Sequence, residues 1–192
     1  ILEAGCGTGN LALKIKERGG DVVGLDYCKE ALDIYKGKHK DAKVVLADLA
    51  KKLPFPDNYF NKIACNNTLY AIPQEKRPST LREFYRILKP AGKVVISNPH
   101  KAAKPFRIYW NHIKASSQIH GLIKTFNNII IMSIPTLKMF YFNYLILKER
   151  KKSFLEENEQ VQLLRKANFR EISENILIYA EQNILNIGYK FN

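Results

Sequence analysis

Two hydrophobic rhythms alternate along the first hundred residues, short apolar runs and longer amphipathic stretches. Residues 21–26 (DVVGLD), 43–47, 61–65 (NKIAC) and 93–97 are compact apolar runs of the kind a parallel strand buries on both faces. Between them, Leu11, Leu13 and Ile15 mark residues 10–18 as a first helix, and residues 29–38 and 73–88 follow as further helices. The punctuation agrees with this division. Gly19-Gly20 ends the first helix, the two prolines of residues 53–58 (LPFPDN) exclude a helix there, and Lys89-Pro90 stops the third. Strands alternating with helices predict an α/β chain built on a doubly wound parallel sheet.

After residue 100 the pattern changes. Ile119, Leu122, Ile123, Phe126, Ile129 and Ile130 recur at helical spacing, and Pro135 can start a second helix holding Leu137, Phe140, Tyr141, Tyr144, Leu145 and Lys148. Residues 117–152 are therefore expected to form two helices, within an insert (100–153) that caps the carboxyl ends of the strands of a single domain (1–192). Beyond it, Val161, Leu163 and Leu164 make residues 156–167 an amphipathic helix, with Asn168-Phe169 as its exit. Two strands close the chain, residues 171–179 and 182–190. Their connection is too short for a parallel crossover, so they must be antiparallel to each other.

At 192 residues and 46% hydrophobic composition the chain is long enough for one real core. It has no run of eighteen apolar residues and no signal-peptide pattern, which points to the cytoplasm. The chain opens without Met and inside a strand, so a preceding segment is expected. Cys6, Cys28 and Cys65 are odd in number and lack metal-ligand spacing, which predicts reduced, packed thiols and no metal. Charge alters the picture more. Of the net +13, residues 98–152 carry +9, with ten Lys and Arg against the single acid Glu149. Such a segment suits an anionic surface, either lipid headgroups or RNA.

The candidate chemistry lies at the very start, in ILEAGCGTGNLAL (1–13). A strand end runs through an acid, Glu3, and glycines at alternate positions, Gly5, Gly7 and Gly9, into a helix. That arrangement brings bare backbone and a helix N-terminus up to a ligand. The spacing G-x-G-x-G departs from the G-x-G-x-x-G of dinucleotide sites and counts against NAD. Glu-Ala-Gly-Cys-Gly-Thr-Gly resembles the first motif of class I S-adenosylmethionine-dependent methyltransferases. The resemblance recurs in order, with Asp26 ending the next strand, Asp48 the third, and residues 81–99 similar to the family's helix into its fifth strand; residues 100–153 are the least family-like. It implies a Rossmann-like seven-stranded sheet of order 3-2-1-4-5-7-6 whose last hairpin is antiparallel. Asn61 and Ala91 stand where many relatives have Asp and Gly, and no Asn-Pro-Pro-aromatic motif follows the fourth strand, which argues against DNA-base amines as acceptors.

The implied cofactor is S-adenosylmethionine, bound at the carboxyl ends of the strands where strand order reverses. Its ribose is expected on the carboxylate of Asp26, beside Tyr27, and its adenine on Asp48 and the Leu49 backbone N–H. The methionyl part is expected on the main chain of Gly5, Cys6, Gly7 and Gly9 and the backbone of Asn66, with Glu3 nearby. Each residue also has a purely structural use: Asp26 and Asp48 as caps, Asn66-Asn67-Thr68 as an Asx turn. His100, just past the fifth strand, is the candidate general base, and Tyr70 can line the acceptor pocket; His112 and His120 have no evident partner. These features point to methyl transfer to a small-molecule or lipid-like acceptor, as in quinone biosynthesis, with peripheral contact to an anionic membrane. RNA methylation through the basic insert and a cofactor-binding scaffold without catalysis are the competing readings.

Overall fold

The structure, a computed structural model, describes residues 1–102, 106–150 and 153–191. Lys104, Lys151 and Lys152 lie outside the described residues, as do the side chains of Arg107, His112, His120, Leu122, Ile123, Lys124, Lys148 and Arg150. The chain runs β1 (Leu2–Ala4), α1 (Asn10–Glu17), β2 (Val23–Asp26), α2 (Lys29–Lys38), β3 (Lys43–Leu46), β4 (Phe60–Asn66), α3 (Arg77–Ile87) and β5 (Leu88–Pro99). Then come α4 (Phe106–His120), α5 (Leu122–Ile131), α6 (Ser133–Arg150), α7 (Glu159–Lys166), β6 (Ile176–Ile178) and β7 (Asn183–Tyr189). The seven strands form one sheet of order β3-β2-β1-β4-β5-β7-β6. The first five are parallel, and β7 runs antiparallel to both β5 and β6. This is the topology the sequence implies.

Alternation along β1 shows how the sheet serves two layers. Leu2 and Ala4 join the larger core cluster with Ile63, Cys65, Val94 and Ile96, where Leu81, Phe84 and Ile87 of α3 and Leu163 and Leu164 of α7 close one face. The opposite face holds a smaller cluster, Cys6, Ala12, Val22, Leu32 and Tyr35, under α1 and α2. Glu3, between the two apolar residues of β1, is directed by the pleat away from Leu2 and Ala4. Its carboxylate bonds the backbone of Ala12 in the first turn of α1.

Polar side chains tie the α3/α7 layer to the sheet. Gln160 of α7, 2% exposed, accepts from Asn98 Nδ2 at 2.8 Å and donates to Ile96 O and to Asn186 Oδ1. Asn98 in turn accepts from the Tyr70 backbone N–H, which fixes the loop after β4 against β5. Arg77, 3% exposed, donates to the carbonyls of Ile72, Tyr70 and Ser153 and pairs with Glu159 at 2.9 Å. One buried guanidinium thus clamps α3, α7 and both ends of the loops between them.

Several boundaries differ from the sequence pattern. The third helix begins at Arg77, after two 3₁₀ turns at Leu69–Ala71 and Gln74–Lys76, because Pro73 and Pro78 interrupt an earlier start. β6 keeps only three residues of the expected nine, and β5 extends back to Leu88 across an irregular step in its pairing with β4. The two helices expected over 117–152 are α5 and α6, and the insert holds a third ahead of them. Its first, α4, lies partly upstream of the expected helices, and Gly121 at φ +78 separates it from α5. α4 contacts α5 and α5 contacts α6.

Candidate active site

β1 is flanked by β2 and β4, so strand order reverses beside its carboxyl end, where an open sheet forms its binding crevice. The chain leaves β1 through a hooked turn. The N–H groups of Gly5 and Cys6 both donate to Leu25 O, at 2.8 and 3.0 Å, and the Gly9 N–H donates to Cys6 O. Gly5 and Gly9 both have φ +77, and any Cβ on them would collide with Thr68 and with the Tyr35 ring respectively. The loop after β4 and helix α2 therefore close directly on the turn.

Gly7 differs. A Cβ there would meet no protein atom within 4 Å, yet Gly7 lines a cleft of about 530 Å³. A side chain at this position would occupy the cleft itself. The same cleft is lined by Gly5, Asp26, Tyr27, Asp48 and Leu49, so six of the expected residues converge on it. Glu3, Cys6, Gly9 and Asn66 are not part of the lining. Asn67, at φ +52, and Thr68 stand in the wall in place of Asn66. Ala71, Ile72 and Pro73 continue that wall, an apolar turn between strand and helix that the sequence pattern did not single out.

Asp26, nearly buried, accepts one backbone N–H on each oxygen, Gly7 on Oδ2 at 2.8 Å and Cys28 on Oδ1 at 3.0 Å. A carboxylate has about four acceptor positions, so each oxygen keeps one for a further donor. The structural and the binding use of this residue are compatible. Asp48 caps its own turn through the Ala50 N–H at 2.9 Å, while Oδ2 lies 4.0 Å from Lys51 Nζ. Tyr27 is 80% exposed beside Asp26.

Glu3 is 4% exposed, and its Oε2 has no hydrogen-bond partner. Burial pushes its carboxyl up to about 7, the Ala12 backbone bond opposes this, and the nearby charge of Asp26 adds to it. The Tyr35 hydroxyl is likewise enclosed without a partner. Burial raises the thiols of Cys6 and Cys65 to about 12, away from a reactive thiolate, whereas Cys28, also expected to be a packed thiol, is only partly buried and donates to Glu30 Oε2 at 3.3 Å. Among the described residues no cluster of His, Cys, Asp and Glu could hold a metal.

The two catalytic candidates sit elsewhere. His100 is 7% exposed, with Nε2 2.9 Å from Glu181 O and Nδ1 enclosed without a partner, and it does not line the cleft. It pairs with Leu155 as a short parallel bridge, closing the root of the insert at the carboxyl end of β5. Tyr70 packs edge-on against Phe154 and is also absent from the lining. No described residue of the insert lines the cleft either.

Glycine cradle, unused acceptor positions on Asp26 and a second carboxylate one strand farther out fit a nucleoside carrying an amino-acid tail. A methyltransferase domain model matches residues 2–96. The chain is 28% identical over 183 residues to a demethylmenaquinone methyltransferase of Geobacillus sp., covering 89% of this chain and 70% of that protein. It is 38% identical over 109 residues to a 2-phytyl-1,4-naphtoquinone methyltransferase of Synechocystis sp., covering 53% of this chain and 45% of that one. Several curated relatives are thus matched over less than half of their length. A crystal structure of a SAM-dependent methyltransferase from Archaeoglobus fulgidus superposes with a TM-score of 0.67 at 17% identity, over 98% of this chain and 85% of that one. Motif, strand order and relatives agree: the chain belongs to the class I S-adenosylmethionine-dependent methyltransferases, enzymes of small-molecule methylation among them.

Proposed function

We propose that this chain methylates a quinone-type, lipid-like small molecule with S-adenosylmethionine as donor. The observation that carries the reading is the convergence of Gly5, Gly7, Asp26 and Asp48 on one cleft at the β1/β4 reversal; the quinone methyltransferases of Geobacillus and Synechocystis among its relatives suggest the acceptor class. Bound S-adenosylmethionine brings an electrophilic methyl on a sulfonium. The chain's part is placement, and orientation alone can lower such a barrier by about 7 to 11 kcal/mol. Asp26 accepts the ribose hydroxyls on the positions its backbone bonds leave open. Asp48 Oδ2 and the Leu49 N–H address the adenine edge, with the exposed Tyr27 ring alongside. The backbone of Gly5 and Gly7 and the amide of Asn67 hold the amino-acid tail, with Glu3 behind them. Ala71, Ile72 and Pro73 keep that wall dry.

Calorimetry with S-adenosylhomocysteine tests the donor half. Asp26→Ala is expected to weaken binding by about a hundredfold, two charge-assisted bonds at the lower end of their range. Asp48→Ala is expected to cost about tenfold and to narrow the preference for adenine over hypoxanthine analogues, with an unchanged circular dichroism spectrum. Unchanged affinity in Asp26→Ala overturns the ribose assignment. Turnover with a short-chain demethylated naphthoquinol tests the acceptor half, and binding without turnover across apolar phenols and quinols overturns it.

A further inference from the structure

We propose that the insert formed by α4, α5 and α6 is a docking surface for an anionic lipid bilayer, seated parallel to the membrane with its apolar side chains below the headgroups and its lysines among them. Phe126 and Ile130 on α5, and Ile134, Leu137, Tyr141 and Tyr144 on α6, are each between 56% and 68% exposed. Steps of three, four and three residues place the α6 set on one helical face, and the step of four does the same for the α5 pair. These six side chains leave the insert with an exposed apolar face of the kind that marks an interaction site.

Charge decides what covers it. Lys114 and Lys138 are exposed on α4 and α6, and residues 98–152 hold ten basic residues against one acid. A second copy of the chain would bring the same positive charge to the interface and repel. RNA would satisfy the lysines but leave the aliphatic face against a charged backbone. A bilayer with anionic headgroups meets both demands, and Tyr and Trp favour that boundary. Tyr141, Tyr144 and the exposed Trp110 supply them. Among the described residues no helix is long and apolar enough to cross a membrane, and the proposal accordingly seats the segment on the surface. The root of the insert, His100 bridged to Leu155, is at the carboxyl end of β5, on the same edge of the sheet as the cleft. Delivery of a lipid-soluble acceptor along that edge rests on the function proposed above; the docking itself does not.

Co-sedimentation of the full chain with phosphatidylcholine vesicles, with and without about one third phosphatidylglycerol, tests the proposal at about 0.1 M salt. Binding to the anionic vesicles is expected to exceed that to neutral ones by at least about tenfold, and to fall about tenfold by about 0.5 M salt. The double variant Leu137→Ser, Tyr144→Ser is expected to lose about tenfold more, because each apolar side chain contributes to insertion. Neither residue lines the cleft, so S-adenosylhomocysteine affinity serves as the control for folding. Trp110 is the only tryptophan, and its emission should shift blue and be quenched by brominated acyl chains. Charge adsorption alone would leave that emission unchanged and overturns insertion. Equal binding to neutral vesicles, tighter binding to an RNA duplex, or a dimer that the double variant abolishes each overturns the proposal. None of these readouts uses turnover, so failure of the acceptor assignment and failure of docking are separate results.

Discussion

Glu3 combines the two demands on this site in one side chain. Its ordinary value near 4.5 applies to the unfolded chain, and enclosure moves it to about 7 in the fold. Between those values the folded state holds a proton that the unfolded state has lost, so this group's effect on stability is lost progressively as pH rises from about 4.5 to about 7. Glu3→Gln removes that slope. The variant should match the parent at pH 4 and exceed it by about 3 kcal/mol at pH 8 in urea titrations. A bound ammonium would favour the carboxylate, so binding S-adenosylhomocysteine at pH 6 should release close to one proton in the parent and none in Glu3→Gln, read by calorimetry in two buffers. Equal proton release in both would remove Glu3 from the proposed contact. The motif residues were legible because glycine spacing and strand-end acids leave marks in one dimension. Asn67 was not separable from Asn66, since only the chain's turn at φ +52 decides which of them reaches the cleft wall.

Elements were legible where a run of apolar residues had a single period and clear punctuation. β1 to β4, α1 and α2 meet that condition, and α2 falls on residues 29–38 as expected. What pattern could not show was the use of polar residues at long range. Arg77 reads as one more surface cation beside Lys76, yet it is the buried clamp between α3 and α7. Glu159→Ala leaves that guanidinium buried with carbonyl partners only. It should cost about 2 to 3 kcal/mol, below the full range for a broken buried pair because Glu159 itself is partly exposed, whereas Glu159→Gln should cost about 1. Ala91 is the reverse case, a departure visible in sequence whose cost appears only in the backbone. It sits at φ +59 in the turn within β5, where a side chain costs about 1 to 2 kcal/mol and glycine costs about 0.5 to 1 in unfolded-state entropy. Ala91→Gly should therefore raise stability by about 0.5 to 1 kcal/mol, seen as a higher urea midpoint at constant slope.

At the scale of the whole molecule the chain divides energetically more sharply than its single sheet suggests. Both core clusters are built from residues before 97 and after 154, and among the described residues none comes from α4, α5 or α6. The insert is held at its root, where His100 bridges Leu155 and the Lys101 N–H donates to Leu155 O. Because that bridge is parallel, a connection from Ala102 back to Ser153 must return along about four residues, roughly 13 Å at 3.3 Å each. An eight-residue Gly-Ser linker has a reach of about 16 Å and closes the gap at small entropic cost. Replacing residues 103–152 by such a linker should leave the thermal transition within about 4 °C of the parent, equivalent to about 1 kcal/mol for a chain of this size. S-adenosylhomocysteine affinity should change less than about threefold, since no described insert residue lines the cleft. Turnover of an apolar acceptor should fall by at least about tenfold, because the excised helices carry the exposed apolar face. Calorimetric scanning and binding on the shortened chain separate these terms. A collapsed transition would mean that the insert supports the fold, and full turnover would mean that acceptor capture belongs to the cleft wall at Ala71, Ile72 and Pro73.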